Sequence, residues 1–116
     1  MIKLGGKRVY LACGTTDMRK SIDGLSALVE YSFKLDLFDD AIFVFCNRVR
    51  DRLKILEWDG DGFWLHFKRL EKGRFPWPRF DDSRTMELRA EELEQLLDGT
   101  KLIRKISGQE ISRAVI

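Results

Sequence analysis

This chain of 116 residues has few cysteines and no long apolar run. The two cysteines, Cys13 and Cys46, are too few and too far apart for a disulfide framework or a zinc site. No apolar run reaches the roughly 18 residues of a membrane-spanning helix, and no signal peptide is recognisable. These absences predict a cytoplasmic protein that makes no membrane contact and keeps both thiols reduced.

Motifs for catalysis and nucleotide binding are also missing. The Gly5-Gly6-Lys7 segment lacks the full glycine-rich pattern of a phosphate loop. His66, the single histidine, lies in an apolar segment and is more typical of a packed or surface residue than of a general base, although a small hydrolase using it stays an alternative. Asp59 and Asp61 could bind a metal, but Asp-Gly-Asp-Gly is also what a tight turn requires. We therefore predict no enzymatic activity, no metal and no cofactor.

The composition that remains is that of one globular domain. Apolar residues make up 44% of the chain and aromatic residues 11%, enough for a core in a domain of this size. We predict a single domain over residues 1–100. Residues 101–116 form a C-terminal tail of mixed character, either a short helix or a mobile arm.

Hydrophobic patterns predict an α+β fold: a small antiparallel β-meander sheet with two packed helices. Continuous or alternating apolar and aromatic runs predict strands. Thr16 and Asp17 have side chains that can cap the start of a helix, and an apolar pattern with helical spacing follows them. Asp59-Gly60-Asp61-Gly62 predicts the turn of a hairpin. The predicted strands are 9–12, 41–46, 52–58, 63–67 and 85–88, and the predicted helices are 17–31 and 90–97.

Charge is unevenly distributed although the net charge is only +2. Residues 46–80 hold nine Lys or Arg against five Asp or Glu, whereas residues 81–98 hold two against seven. Residues 99–116 are basic again, with four against one. This asymmetry suits a basic face for an anionic partner, but ordinary solvated surface charge gives the same pattern.

The basic region has an order that favours nucleic acid. Four cations occupy every second position from Arg48 to Lys54, so an extended chain would place them on one side. Aromatic residues are interleaved, and Trp77, between two prolines, is expected to point outward or to dock on a sheet edge. The predicted DNA-binding residues are Arg48, Arg50, Arg52, Lys54, Lys68, Arg69, Arg74 and Trp77. If Asn47 to Arg50 is a turn, only Arg52 and Lys54 follow strand alternation.

An ordered set of short strings runs through about residues 8–99. The strings are Val9-Tyr10-Leu11-Ala12-Cys13-Gly14, Thr16-Asp17-Met18-Arg19-Lys20, Asp23-Gly24-Leu25, Phe43-Val44-Phe45, Asp51-Arg52-Leu53-Lys54-Ile55-Leu56, Trp58-Asp59-Gly60-Asp61-Gly62, Lys68-Arg69-Leu70-Glu71, Gly73-Arg74-Phe75 and Trp77-Pro78. With these strings in this order, the chain resembles the TnpB accessory proteins of insertion sequence family 66, which are unrelated to the RNA-guided nuclease of the same name. The resemblance makes the cytoplasm of a bacterium the expected location.

The resemblance implies a role in DNA transposition and recombination of a mobile genetic element. Such accessory proteins are encoded beside a separate DDE-type transposase and are not thought to cut DNA themselves. DNA and the cognate transposase are therefore the two expected partners, and the oligomeric state stays open. If the chain is an adaptor for the transposase instead of a DNA-binding protein, we expect contacts from helix 90–98, the Trp77 edge and the segment containing Asp17, Arg19 and Lys20.

Overall fold

The computed structural model describes residues 6–79 and 84–98, and the backbone of 105–106 and 109–110. Strands β1 (Arg8–Ala12), β2 (Ala41–Cys46), β3 (Arg52–Trp58), β4 (Phe63–Arg69) and β5 (Thr85–Leu88) form one sheet. Helix α1 (Ile22–Ala27) continues as a π-helix (Leu28–Ser32), and α2 (Ala90–Leu97) follows β5. The α+β class and all five predicted strands are confirmed, with β4 two residues longer than predicted.

The order of strands in the sheet is β4-β3-β2-β1-β5. Strands β2, β3 and β4 form the predicted antiparallel meander. Strand β1 pairs in parallel with β2, because α1 and the loop after it carry the chain back to the starting end of the sheet. Strand β5 then pairs antiparallel with β1. The sheet is therefore mixed, and one parallel pair adds to the antiparallel arrangement predicted from the sequence.

Both faces of the sheet are covered, which explains why β2 is apolar throughout. On one face, α2 and the segment containing Phe75 and Trp77 pack against side chains such as Val44 and Ile55. On the other face, Leu25 and Val29 of α1 and the π-helix pack against Phe43 and other side chains. Two cores therefore hold the sheet, and both cysteines are buried and outside any disulfide. Burial raises the pKa of Cys46 to about 12.

The predicted helix 17–31 is wrong at its start. The helix begins after Ser21, five residues later, and its second half is π-helical. Asp17 instead forms a local turn, in which its carboxylate accepts a 2.9 Å hydrogen bond from the backbone N–H of Arg19. Short acidic side chains close such turns as readily as they cap helices, so Asp17 diverts the chain before the helix starts.

The Asp-Gly-Asp-Gly segment is the predicted hairpin turn between β3 and β4. The N–H of Asp59 donates to the carbonyl of Gly62 over 3.0 Å, and Gly60 has a positive φ of +106°. The Asp59 carboxylate accepts a 2.5 Å hydrogen bond from the indole of Trp64, which lowers the pKa of Asp59. In residues 6–79 and 84–98, no group of three or more His, Cys, Asp or Glu side chains could hold a metal ion. This segment is therefore explained by its backbone role.

The predicted tail, 101–116, lies outside the described residues apart from two short strands. These are β6 (Lys105–Ile106) and β7 (Gln109–Glu110), which pair antiparallel with each other. Among the helices of the described residues, none has the length and apolar character needed to cross a bilayer.

Candidate nucleic-acid interface

Cationic side chains from several segments gather at one end of the sheet. The parallel strands β1 and β2 finish there, β3 and β5 start there, and β4 ends opposite the start of β3. The connections at this end therefore bring together residues that are far apart in sequence. We call this set the basic end: Arg48, Arg50, Arg52, Arg69, Lys72, Arg74, Arg79 and Arg84.

The opposite end of the sheet carries mainly carboxylates. The loop before β2 and the β3–β4 turn lie there, at the starts of β2 and β4. Their acidic residues are Asp36, Asp39, Asp40, Asp59 and Asp61, which we call the acidic end. Among the described residues, the basic end holds three carboxylates, of Asp17, Asp51 and Glu71. The acidic end holds three cations, of Lys7, Arg8 and Lys34, of which the first two form ion pairs with carboxylates. Charge is therefore polarised along the strand direction, which favours one orientation toward a polyanion.

The four alternating cations do not form a ladder on one side. Arg48 and Arg50 lie in the turn before β3, and Arg50 has a positive φ of +62°. The turn is closed by Asn47, whose side-chain oxygen accepts 3.0 Å hydrogen bonds from the N–H groups of Asp51 and Arg52. Strand alternation begins only at Arg52 and continues to Lys54. The condition set out from the sequence is met: two cations lie on a strand and two on the adjoining turn.

The turn carrying Arg50 is bound to the segment that carries Arg74. The N–H of Leu70 donates to the carbonyl of Asp51, and the N–H of Phe75 donates to the carbonyl of Arg50, each over 2.7 Å. Arg74 immediately precedes Phe75, whose ring is fully buried. The exposed Arg74 is thereby held beside the 48–50 turn on a fixed backbone.

Arg52 and Arg69 lie directly opposite each other on neighbouring strands. Like charges in this position repel, unless other groups neutralise them. Arg52 lies 3.5 Å from Asp51, and Arg69 donates a 2.8 Å hydrogen bond to Glu71, which raises the pKa of Arg69. Both partners are side chains at the surface, so an incoming phosphate can compete for either guanidinium.

A pocket of about 230 Å³ lies within the basic end, and we call it the arginine pocket. Three arginine residues, Arg48, Arg50 and Arg79, contribute to its lining. Sequence reasoning missed Arg79 because it stands alone after Pro78 with no basic neighbour. Its other lining residues are Gly14, Thr15, Asn47, Trp77 and Pro78.

Two of the predicted DNA-binding residues, Lys54 and Lys68, use their ammonium groups in hydrogen bonds within the protein. The ammonium of Lys54 donates to the carbonyls of Met18 and Lys20 over 2.8 and 2.9 Å, so it anchors the 17–20 segment. Lys68 donates to the carbonyl of Leu97 and so caps the C-terminus of α2, on the sheet face opposite Arg69. Neither ammonium is free to contact phosphate, and we remove both from the candidate interface.

Trp77 is also misassigned by the sequence prediction. Its side chain is only 3% exposed, and its indole N–H donates to the carbonyl of Ala12 over 3.0 Å. The two prolines keep the segment out of the sheet as expected, but they direct this ring into the core below α2. Trp77 forms a wall of the arginine pocket and cannot stack on a base.

The predicted partner-binding segment lines a second concavity, which we call the Phe67 groove. Its volume is about 740 Å³, with Leu65 and Phe67 of β4 forming an apolar floor. The Phe67 ring is 55% exposed. The other lining residues are Asp17, Met18, Arg19, Arg52 and Lys54. The predicted partner-binding residue Lys20 does not line the groove, and its backbone carbonyl accepts a hydrogen bond from Lys54.

Asp17 and Arg19 form a two-pronged ion pair at the rim of this groove. The guanidinium donates to both carboxylate oxygens at 2.8 to 3.1 Å. These bonds, aided by the backbone N–H of Arg19, lower the pKa of Asp17 to about 2. The groove therefore has an apolar floor with a charged rim, a composition found where proteins bind peptides.

Comparison with known proteins gives the family. The family described as IS66 Orf2 like protein matches residues 7–106. Two relatives come from Sinorhizobium fredii (strain NBRC 101917 / NGR234), and both carry the name uncharacterized protein. One, y4hO, is 44% identical over 71 residues, which span 61% of this chain and 62% of its own length. The other, y4jC, is 37% identical over 103 residues, which span 86% of this chain and 87% of its own.

No solved structure matches the chain significantly. The family match covers most of the chain, including all five strands of the main sheet and both groups of residues described above. It also agrees with the resemblance carried by the short sequence strings. The chain therefore belongs to the IS66 Orf2-like family, the accessory proteins of insertion sequences.

Proposed function

We propose that this accessory protein binds DNA through its basic end and performs no catalytic step of its own. The observation that carries the proposal is the gathering of cationic side chains at one end of the sheet, from the β2–β3 and β4–β5 connections and from the adjoining ends of β3 and β4. Among the described residues, carboxylates collect at the other end, so the two ends differ in what they offer to a polyanion.

The chemistry of the basic end suits contacts to the phosphate backbone. Arginine guanidinium groups stay charged and offer forked donors that match phosphate oxygens. Such contacts fix the position of a protein on DNA but carry no sequence information. We therefore propose that target selection is supplied by the transposase, the second expected partner.

A pair of matched charge variants tests this proposal. Arg74→Gln removes one exposed cation from the basic end, and Lys34→Gln removes one from the loop before β2, near the acidic end. Neither side chain makes a hydrogen bond or ion pair with another described residue. We expect Arg74→Gln to weaken binding to a duplex about fivefold, which corresponds to about 1 kcal/mol, with Lys34→Gln nearly unchanged.

Fluorescence anisotropy with a labelled duplex measures both variants under one salt condition. Equal losses would show that net charge alone governs binding, and would contradict a localised interface. Circular dichroism of each variant checks that the fold is retained.

The Phe67 groove supports a second candidate function, an adaptor for the cognate transposase. The Phe67 ring of its apolar floor is exposed, and its rim contains the predicted partner-binding residues Asp17 and Arg19. Exposed aromatic side chains beside charged rims are common at protein interfaces.

Pull-down of the transposase encoded by the same element distinguishes this candidate. Phe67→Ala removes an aromatic ring from the groove floor, and Tyr31→Ala removes an even more exposed aromatic side chain from the π-helix. An adaptor predicts that only Phe67→Ala loses the transposase, while Arg74→Gln retains it. Retention by Phe67→Ala would exclude the groove as the contact.

A further inference from the structure

The arginine pocket has a partly enclosed shape that contacts to an internal phosphate backbone do not explain. Phosphate contacts along a duplex need cations on an open surface, whereas these three arginines line a partly enclosed space of about 230 Å³. At roughly 30 Å³ for each water molecule of the liquid, this space equals about seven waters. It therefore has room for a compact anionic group and part of what carries that group.

The backbone around the pocket is fixed by hydrogen bonds between separate segments. The N–H of Gly14 donates to the carbonyl of Pro78 over 3.0 Å, which holds the residue before Arg79 against the end of β1. Arg50 is held in its left-handed conformation by the bonds to Asn47 and Phe75. A non-glycine residue with positive φ persists only where its surroundings enforce it, and such positions cluster at functional sites.

The ionisable residues that line the pocket all carry positive charge. Its ionisable members are the three arginines, and no carboxylate from the described residues lines the pocket. Guanidinium groups cannot shed their charge at neutral pH, so the repulsion among them is relieved by a bound anion. Thr15 adds a hydroxyl, which can donate to an anionic oxygen.

We propose that the arginine pocket binds a terminal phosphate monoester of a nucleic-acid strand. This inference rests on the proposed DNA binding and names the chemical group that the pocket selects. A terminal monoester carries a charge of about −1.5 to −2 at pH 7, with three free oxygens for three guanidinium groups. An internal phosphodiester carries a single charge and continues into a sugar on both sides, so it can lie only across the mouth.

The test compares one internally labelled duplex with three kinds of end: a 5′-phosphate, a 3′-phosphate, and hydroxyl groups only. The full chain is titrated by anisotropy at fixed salt. We expect one phosphorylated form to bind at least tenfold more tightly than the hydroxyl form. The two phosphorylated forms show which strand end the pocket accepts.

Two variants locate the effect. Arg79→Gln removes a pocket arginine and is expected to abolish the preference for the phosphorylated end, with Arg48→Gln as a second variant in case the first fails to fold. Arg52→Gln removes a cation of the basic end that does not line the pocket. It is expected to weaken all three duplexes by the same factor and to keep the preference.

Each failure has its own signature. Equal binding of phosphorylated and hydroxyl ends would overturn the pocket inference and leave DNA binding intact. A preference that survives in both Arg79→Gln and Arg48→Gln would place the phosphate elsewhere and overturn it as well. Absence of binding to every duplex would overturn the proposed function and the inference with it.

Discussion

Trp77 combines two stabilising roles in one side chain. From the segment after β4 its ring packs into the core on the α2 side of the sheet, and its indole N–H donates a hydrogen bond to the carbonyl of Ala12. We expect Trp77→Phe to lower the free energy of unfolding by about 1–3 kcal/mol, and Trp77→Ala by about 3–5 kcal/mol. Urea denaturation measures both. The control is Trp64→Phe at a 56% exposed position, which should cost less than about 1 kcal/mol. A similar cost at both positions would contradict the burial of Trp77.

The contribution of the Asp17 carboxylate to stability is predicted to depend on pH. Arg19 lowers the pKa of Asp17 to about 2, below the value of roughly 3.9 for an unfolded chain. The ionised carboxylate therefore stabilises the 17–20 turn above about pH 4, and this contribution is lost as the pH falls toward 2. An NMR titration of the carboxyl carbon should give the low midpoint in the native protein. Arg19→Gln should raise it toward the ordinary value, whereas the distant Lys34→Gln should leave it unchanged.

At the scale of elements, the β3–β4 turn contains two glycines, of which one is required for its backbone conformation. A Cβ at Gly60 or Gly62 would meet no atom within 4 Å, but only Gly60 has positive φ. We expect Gly60→Ala to destabilise the protein by about 1 kcal/mol, with Gly62→Ala within about 0.5 kcal/mol of the parent. Thermal and urea unfolding of the two variants provide the comparison. Equal costs would show that the positive φ of Gly60 has no special energetic effect and would contradict the turn geometry.

The sequence predicts elements well where one local pattern dominates. Strand β2 is apolar throughout and β3 alternates, so their bounds follow from the residues alone. The start of α1 does not, because Asp17 can either cap a helix or close a turn. The choice depends on Lys54, 34 residues beyond Lys20 in sequence, whose ammonium holds the carbonyls of the turn. Long-range contacts of this kind leave no periodic signal.

At the scale of the whole molecule, the candidate site is predicted only in part. The run from Arg48 to Arg52 and the neighbouring Arg69 and Arg74 stand out by local density of charge. Arg79 and Arg84 do not, since long-range backbone contacts bring them to the basic end. The bond from the N–H of Gly14 to the carbonyl of Pro78 positions Arg79, and the pairing of β5 with β1 positions Arg84. Charge sums over sequence segments also miss the acidic end, because its carboxylates come from two distant connections. Topology therefore creates the polarity from residues that look unremarkable along the chain.

This polarity predicts the salt dependence of DNA binding. If about four phosphates are engaged, the logarithm of the association constant should fall with the logarithm of salt concentration with a slope of roughly −3.6. Removing Arg74 should reduce the steepness by about 0.9, since one fewer counterion is released, whereas removing Lys34 should leave the slope unchanged. Titrations over a series of salt concentrations measure all three slopes. A flat response in the parent protein would exclude phosphate contacts as the basis of binding. A reduced slope for Lys34→Gln would place the interface beyond the basic end, because counterions are released only where cations meet phosphates.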